Sequence, residues 1–129
     1  MEVTLMPVRI VIPVIDESGL DAILSEHFGR APFFAVFDID EKGTVVDRKT
    51  IPNTSEHFGG TGRPPDRILA LKPRVLITYG MGPRALSIFQ NAGVAVMRTN
   101  SAVVRDAIKA YVNDELEELT EGCHQARHH

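Results

Sequence analysis

Residues 74–112 read RVLITYGMGPRALSIFQNAGVAVMRTNSAVVRDAIKAYV. The stretch holds two short apolar runs, 74–79 and 94–97, each followed by a turn and then a helical pattern. Short apolar runs bounded by turn residues suit buried strands. Gly80-Met81-Gly82 turns the chain into a helix with Pro83 in its first turn, where a missing N–H does no harm. Gly93 sits where a left-handed C-terminal cap is expected. Asn100 or Ser101 caps a further helix, in which Val104, Ala107, Ile108, Tyr111 and Val112 fall on one face. Strand, helix, strand, helix in this order predicts parallel strands joined by right-handed crossovers, and hence an α/β protein.

Working outward, residues 8–15 are apolar except for Arg9 and Pro13 and read as a central strand. Residues 16–32 read as a loop with a short helical turn around 20–24. Residues 33–37 suit a second buried strand. The turn 38–43, with Gly43 able to take positive φ, leads to a third strand at 44–51 whose charged residues suggest a sheet edge. Residues 53–62 are irregular and glycine-rich. A helix from Pro64 to Lys72 stops at Pro73. Beyond Asn113-Asp114 lies a tail with one extended piece near 116–119. The order βββαβαβα predicts a single mixed five-stranded sheet with helices packed on it. It forms one domain over 1–129, with its core at about 8–119 and a flexible tail at about 120–129.

A chain of 129 residues suits one domain and can bury a core without disulfide or metal staples. Its 43% hydrophobic and 24% charged residues are ordinary for a globular protein. No apolar run reaches the length of a membrane span, and no leader pattern opens the chain. The net charge of -3 gives no basic excess for phosphate binding, and with no Trp and 6% aromatics a base-stacking platform is not expected. One cysteine, Cys123, excludes an internal disulfide, an all-thiolate zinc site and an all-cysteine iron–sulfur site. The expectation is a cytoplasmic protein that binds neither nucleic acid nor membrane, as a monomer or weak homodimer.

In the predicted sheet, strands one, three, four and five run the same way. Four connections then meet at one edge: 16–32, 53–62, 80–82 and 98–100. Carboxyl ends of strands are the usual ligand side of open α/β sheets, and two of these connections open helices with partial positive charge. Ser25-Glu26-His27-Phe28-Gly29 recurs as Ser55-Glu56-His57-Phe58-Gly59, one copy in each of the two longest loops. Imidazole is a common ligand for transition metals. A loop histidine is more often solvated or capping; the repeat at a shared edge brings His27 and His57 forward as metal-ligand candidates. Phe28 and Phe58 read as plugs that pin the loops. Gly29, Gly59, Gly60, Gly80, Met81 and Gly82 supply backbone for an anion; Arg30 and Arg63 follow glycines and Arg84 a Gly-Pro pair, where each could face an anion although a surface charge is the commoner role. The Gly80-Met81-Gly82 turn lacks phosphate-loop spacing and reads equally as a tight strand-to-helix turn. Cys123, with the histidines around it, is a further ligand candidate from the tail.

His27-Phe28-Gly29-Arg30-Ala31-Pro32-Phe33-Phe34 after strand one resembles the dinitrogenase iron–molybdenum cofactor biosynthesis family, in its small stand-alone form. The resemblance continues through the glycine-rich 57–62 loop, Gly80-Met81-Gly82 and Ala107-Ile108-Lys109-Ala110-Tyr111, and covers about 8–119. It implies a ribonuclease H-like fold. It also implies non-catalytic binding or transport of an iron–sulfur or iron–molybdenum-type cluster or its precursor, with cluster donor or acceptor proteins as partners. With one cysteine available, such a cluster would be held by His, one thiolate, backbone N–H groups and arginines. Two other readings stand beside this carrier: a partner-binding regulatory domain without a ligand, and a metal-dependent nuclease. The nuclease needs converging carboxylates. Asp16 ends strand one, strand four ends without an acid, and Asp38 and Asp40 fall at the far end of the sheet.

Overall fold

The computed structural model describes residues 7–54 and 64–120. β1 (Val8–Val14) is the apolar run read as a central strand, and it is buried from Ile10 onward. β2 (Phe33–Ile39) pairs antiparallel with its whole length, from Val8 opposite Ile39 to Val14 opposite Phe33. β3 (Val45–Pro52) pairs antiparallel with β2 and forms the predicted edge. On the other side β4 (Val75–Thr78) runs parallel to β1, and β5 (Ala95–Arg98) runs parallel to β4. A sixth strand, β6 (Glu117–Glu118), pairs antiparallel with β5. The order is β3-β2-β1-β4-β5-β6.

The sheet therefore has six strands rather than the expected five. The extended piece anticipated near 116–119 joins the sheet because Leu116 packs on one core and Leu119 on the other, with the two glutamates held between them. Glu117 also lies 3.8 Å from Arg98 on the neighbouring strand. Asp38, expected in the hairpin turn, instead sits inside β2. Its register partner is Arg9, whose Nε and Nη2 donate to the two carboxylate oxygens at 2.9 and 3.2 Å. That fork holds the Asp38 carboxyl below its usual range, and Arg9 Nη1 donates further to the Leu71 carbonyl.

Strand alternation splits the interior into two cores. Ile10, Ile12, Val14, Ala35, Phe37 and Ile77 face α3 (Val104–Val112) and its Ala107 and Ile108. Val11, Phe34, Val36 and Leu76 face α1 (Pro64–Ala70) and α2 (Pro83–Asn91), with Ile68, Leu86 and Phe89. The first helix stops at Ala70, short of the expected 72. Lys72 takes φ 58° before Pro73, which turns the chain into β4. Gly43 takes φ 84° in the hairpin, and a Cβ there would lie 2.6 Å from Val112, so both space and backbone demand glycine. Gly93 has φ 78° after α2, as a C-terminal cap requires.

Neither Asn100 nor Ser101 caps α3. Val103, whose side chain cannot hydrogen-bond, occupies the cap position, and the Val104 N–H donates to the Ala22 carbonyl at 3.0 Å. The loop after β1 thus supplies what a polar cap would have supplied. Val112, expected on the buried face, is 42% exposed at the end of the helix.

Candidate functional site

The chain leaves β1 toward β2 and β3 on one side and returns through α1 to β4 on the other, so the sheet order reverses between β1 and β4. Pairing between those strands runs through Ile10–Val75 and Val11–Leu76. It ends before Pro13, whose ring removes a donor. Beyond that point the loop folds back beside β1. Ser25 N–H donates to the Pro13 carbonyl, Ile15 N–H donates to the Ile23 carbonyl, and Leu24 bridges Val14. Crevices at such a reversal, beyond the carboxyl ends of strands, are the usual ligand sites of open α/β sheets. The described parts of the four connections do meet there: 16–32 after β1, 53–54 after β3, 79–82 after β4 and 99–103 after β5.

The loop serves both faces of the sheet and divides the rim into two halves. On the α1 and α2 side, Phe28–Arg30 forms a tight 3-10 turn. Phe28 is half-buried against the second core and meets Phe89 edge-on, with ring centres 6.1 Å apart at 73°, which bears out its reading as a plug. Asn53 ties this turn to its surroundings. Its Nδ2 donates to the Ala31 carbonyl at 2.8 Å and the Gly29 carbonyl at 3.4 Å, its N–H donates to the Pro32 carbonyl, and its Oδ1 accepts from Arg67 Nη1 at 2.8 Å. Gly29 is half-buried and Arg30 exposed. His27 is exposed beside them, its N–H on the buried Ser25 Oγ.

On the same side, Gly82, which has no side chain to bond the first N–H groups, caps α2, and Pro83 follows at the first position. The helix start therefore keeps its partial positive charge toward the rim. Met81 is buried among Leu86 and Phe89, between half-buried Gly80 and exposed Gly82. Thr78 ends β4 on the face that Leu76 gives to α2. Its Oγ1 is buried with no hydrogen-bond partner among the described residues. Leaving such a hydroxyl unmet costs about 1–3 kcal/mol.

The α3 side is different. Ile15 is 50% and Ile23 38% exposed. With Leu24, Glu26, Tyr79 and Asn100 they line a cleft of about 580 Å³ that reaches His27. Tyr79 donates to the Ser101 carbonyl at 2.9 Å. Burial pushes its hydroxyl pKa up, and the Glu26 charge pushes it further. Asp16 accepts from the Ser18 and Ile23 N–H groups, and those bonds hold its carboxyl below the usual range.

His27, Gly29, Arg30 and Gly80 to Gly82 are thus brought to one end of the sheet. His57, Gly59, Gly60, Arg63 and Cys123 lie outside the described residues. Among the described residues no three His, Cys, Asp or Glu side chains gather in a way that could hold a metal ion. Sequence reasoning missed the bracing role of Asn53, and it missed the Ile15, Ile23 and Tyr79 cleft.

The family model described as dinitrogenase iron-molybdenum cofactor matches residues 9–114. The chain belongs to this family. It is 30% identical over 98 residues to the uncharacterized protein MJ0580 of Methanocaldococcus jannaschii, covering 74% of this chain and 82% of that one. The crystal structure of PH0822 is 29% identical and superposes with a TM-score of 0.72, covering 87% of this chain and 96% of the other. The apo form of the orange protein from Desulfovibrio gigas is 24% identical with a TM-score of 0.70, covering 92% and 98%; at that identity the likeness is one of fold. Among the described residues no helix is long and apolar enough to cross a membrane.

Proposed function

We propose that this protein is a non-catalytic carrier or scaffold for an anionic metal–sulfur cluster, iron- or molybdenum-containing, or for its precursor. The cargo sits on the glycine and arginine half of the rim. The observation that carries this is the start of α2, where the cap residue Gly82 has no side chain to bond the first N–H groups, at the same end as His27 and Arg30 and following a Thr78 hydroxyl with no hydrogen-bond partner among the described residues. Bridging sulfides make such clusters electron-rich. Backbone N–H groups of the 80–82 turn and the Arg30 guanidinium stabilise that charge. His27 supplies an imidazole nitrogen to a metal, and His57 in the second copy of the motif supplies another. Family membership supports the cargo class.

Cys123 is the weaker ligand. β6 runs against β5, from Glu117 beside Arg98 to Glu118 beside Met97, and Leu119 N–H donates to the Val96 carbonyl. The last described residues therefore head away from the rim. Three residues span at most about 11 Å. The order β3-β2-β1-β4-β5 with β2 alone reversed supports the ribonuclease H-like reading of the sheet. Nuclease chemistry has little to stand on, since Asp16 is engaged by loop N–H groups and Asp38 by Arg9.

The test is anaerobic titration with tetrathiomolybdate and with an iron–sulfur species, followed by absorbance. Wild type should bind one equivalent of cargo, and the His27→Ala, His57→Ala pair should bind at least tenfold more weakly with an unchanged melting temperature. A wild type that binds neither species overturns the carrier reading.

A further inference from the structure

We infer that the α3 half of the rim is a docking surface for a protein partner that presents an aliphatic side chain flanked by Lys or Arg. The inference rests on the carrier reading only for what the partner does, which is to deliver or receive the cargo beside His27.

Three observations carry it. The first is exposed apolar surface in a rigid frame. Ile15 and Ile23 stand side by side, joined by the Ile15 N–H to Ile23 carbonyl bond at 2.9 Å, at 50% and 38% exposure. Their loop is held by the Asp16 carboxylate, by the Leu24 N–H on the Ala102 carbonyl, by the Val104 N–H on the Ala22 carbonyl, and by an Ile23–Val103 bridge. A frame so fixed can bind without losing much freedom. It also keeps two isoleucines in water that a looser loop could have buried.

The second observation is charge. From Ile10 to Gly29 the chain carries Asp16, Glu17, Asp21 and Glu26 and no Lys or Arg. Arg105 of α3 answers Asp21 at 3.1 Å. Glu17 and Glu26 are exposed, and the charge of Glu26 is felt at the cleft, where it helps to raise the Tyr79 pKa. A negative lip repels an anionic cargo and draws a cationic partner, so the cleft and the glycine half cannot share one ligand. The third is position: the cleft of about 580 Å³ includes His27 in its wall, so a docked partner lies next to the proposed cargo ligand.

The experiment uses two synthetic twelve-residue peptides with the same aliphatic centre, one flanked by Lys and Arg and the other by Asp and Glu. Each is titrated into the full-length protein and followed by amide chemical shifts. The basic peptide should shift residues 15–26, Tyr79 and Asn100, and bind less tightly as salt is raised. The Ile15→Ser, Ile23→Ser double variant should lose about tenfold in affinity. Both substitutions are at exposed positions, and a melting curve checks the fold. The proposal is overturned if neither peptide binds, if both bind alike, if the shifts map elsewhere, or if the double variant binds as wild type does. It is equally overturned if wild type self-associates through this face and the double variant does not, since the occupant is then a second copy. Titrating the same samples with tetrathiomolybdate separates the two readings. A double variant that loses the peptide and keeps the cargo supports both. A wild type that binds the peptide but no cargo keeps the docking surface and sinks the carrier.

Discussion

Residues 15–24 and residues 28–31 belong to one loop, yet they are built on different terms. The first stretch lies on the α3 side, is fixed by backbone bonds and by the Asp16 carboxylate, and leaves two isoleucines and Glu17 in water. The second lies on the α1 and α2 side, is plugged by Phe28 and clamped by Asn53, and leaves Arg30 exposed at the end of the sheet where α2 starts. Electrostatics decides what each can hold. Negative, apolar surface suits a cationic protein, and N–H groups with a guanidinium suit an anion. His27 stands between the halves and belongs to both.

The comparison can be broken by loosening one half and watching the other. Phe28→Ala removes a half-buried ring from the Phe89 contact and should cost about 2 kcal/mol of stability, read by thermal or urea unfolding. It should also weaken cargo binding while leaving the basic peptide bound. A loss of both together would mean that the loop moves as one piece. Asn53→Ala removes bonds to two carbonyls and to Arg67 and should cost about 1.5 kcal/mol. Hydrogen exchange should then quicken at 28–31 and stay unchanged at 22–25. Equal quickening in both would deny that Asn53 serves one half alone.

Much of the frame was legible in the sequence. The apolar runs gave β1, β2, β4 and β5 away, and the special backbone at Gly43 and Gly93 followed from turn chemistry. What stayed hidden were features that exist only after distant segments meet. β6 is two glutamates with no apolar alternation, and it is a strand only because Leu116 and Leu119 find separate cores. Asp38 reads as a turn residue until Arg9 is known to lie opposite. α3 has no side-chain cap because Ala22, 82 positions earlier in the chain, accepts its first N–H. At the rim, the His27 motif and the glycines stood out as a pattern, whereas Asn53 acts through carbonyls that no motif displays. One signal for the α3 half was present and unused: four acids without a base between Ile10 and Gly29.

Smaller effects sharpen the picture on the acidic side. The Asp16 carboxyl is held below its usual range in the folded protein, so it contributes stability above that range and loses it as pH falls through the folded value. Melting wild type and Asp16→Asn from pH 7 downward should show a gap that closes under acid. A gap that stays constant would mean that the carboxylate does not hold the loop. Smaller still, Glu26→Gln should bring the Tyr79 titration part of the way down, because burial remains and only the charge is gone. Ultraviolet titration of the tyrosines reads this directly, and no movement would place Glu26 too far from the cleft to shape its field.

The central claim is that the two halves take ligands of opposite charge. Its most direct test is one anaerobic tetrathiomolybdate titration run in parallel on His27→Ala, Arg30→Ala and the Glu17→Gln, Glu26→Gln pair, with wild type as reference. The account predicts about tenfold weaker binding for each of the first two, and binding as tight as wild type or tighter for the glutamate pair. Equal weakening across all three, or weakening confined to the glutamate pair, would contradict it.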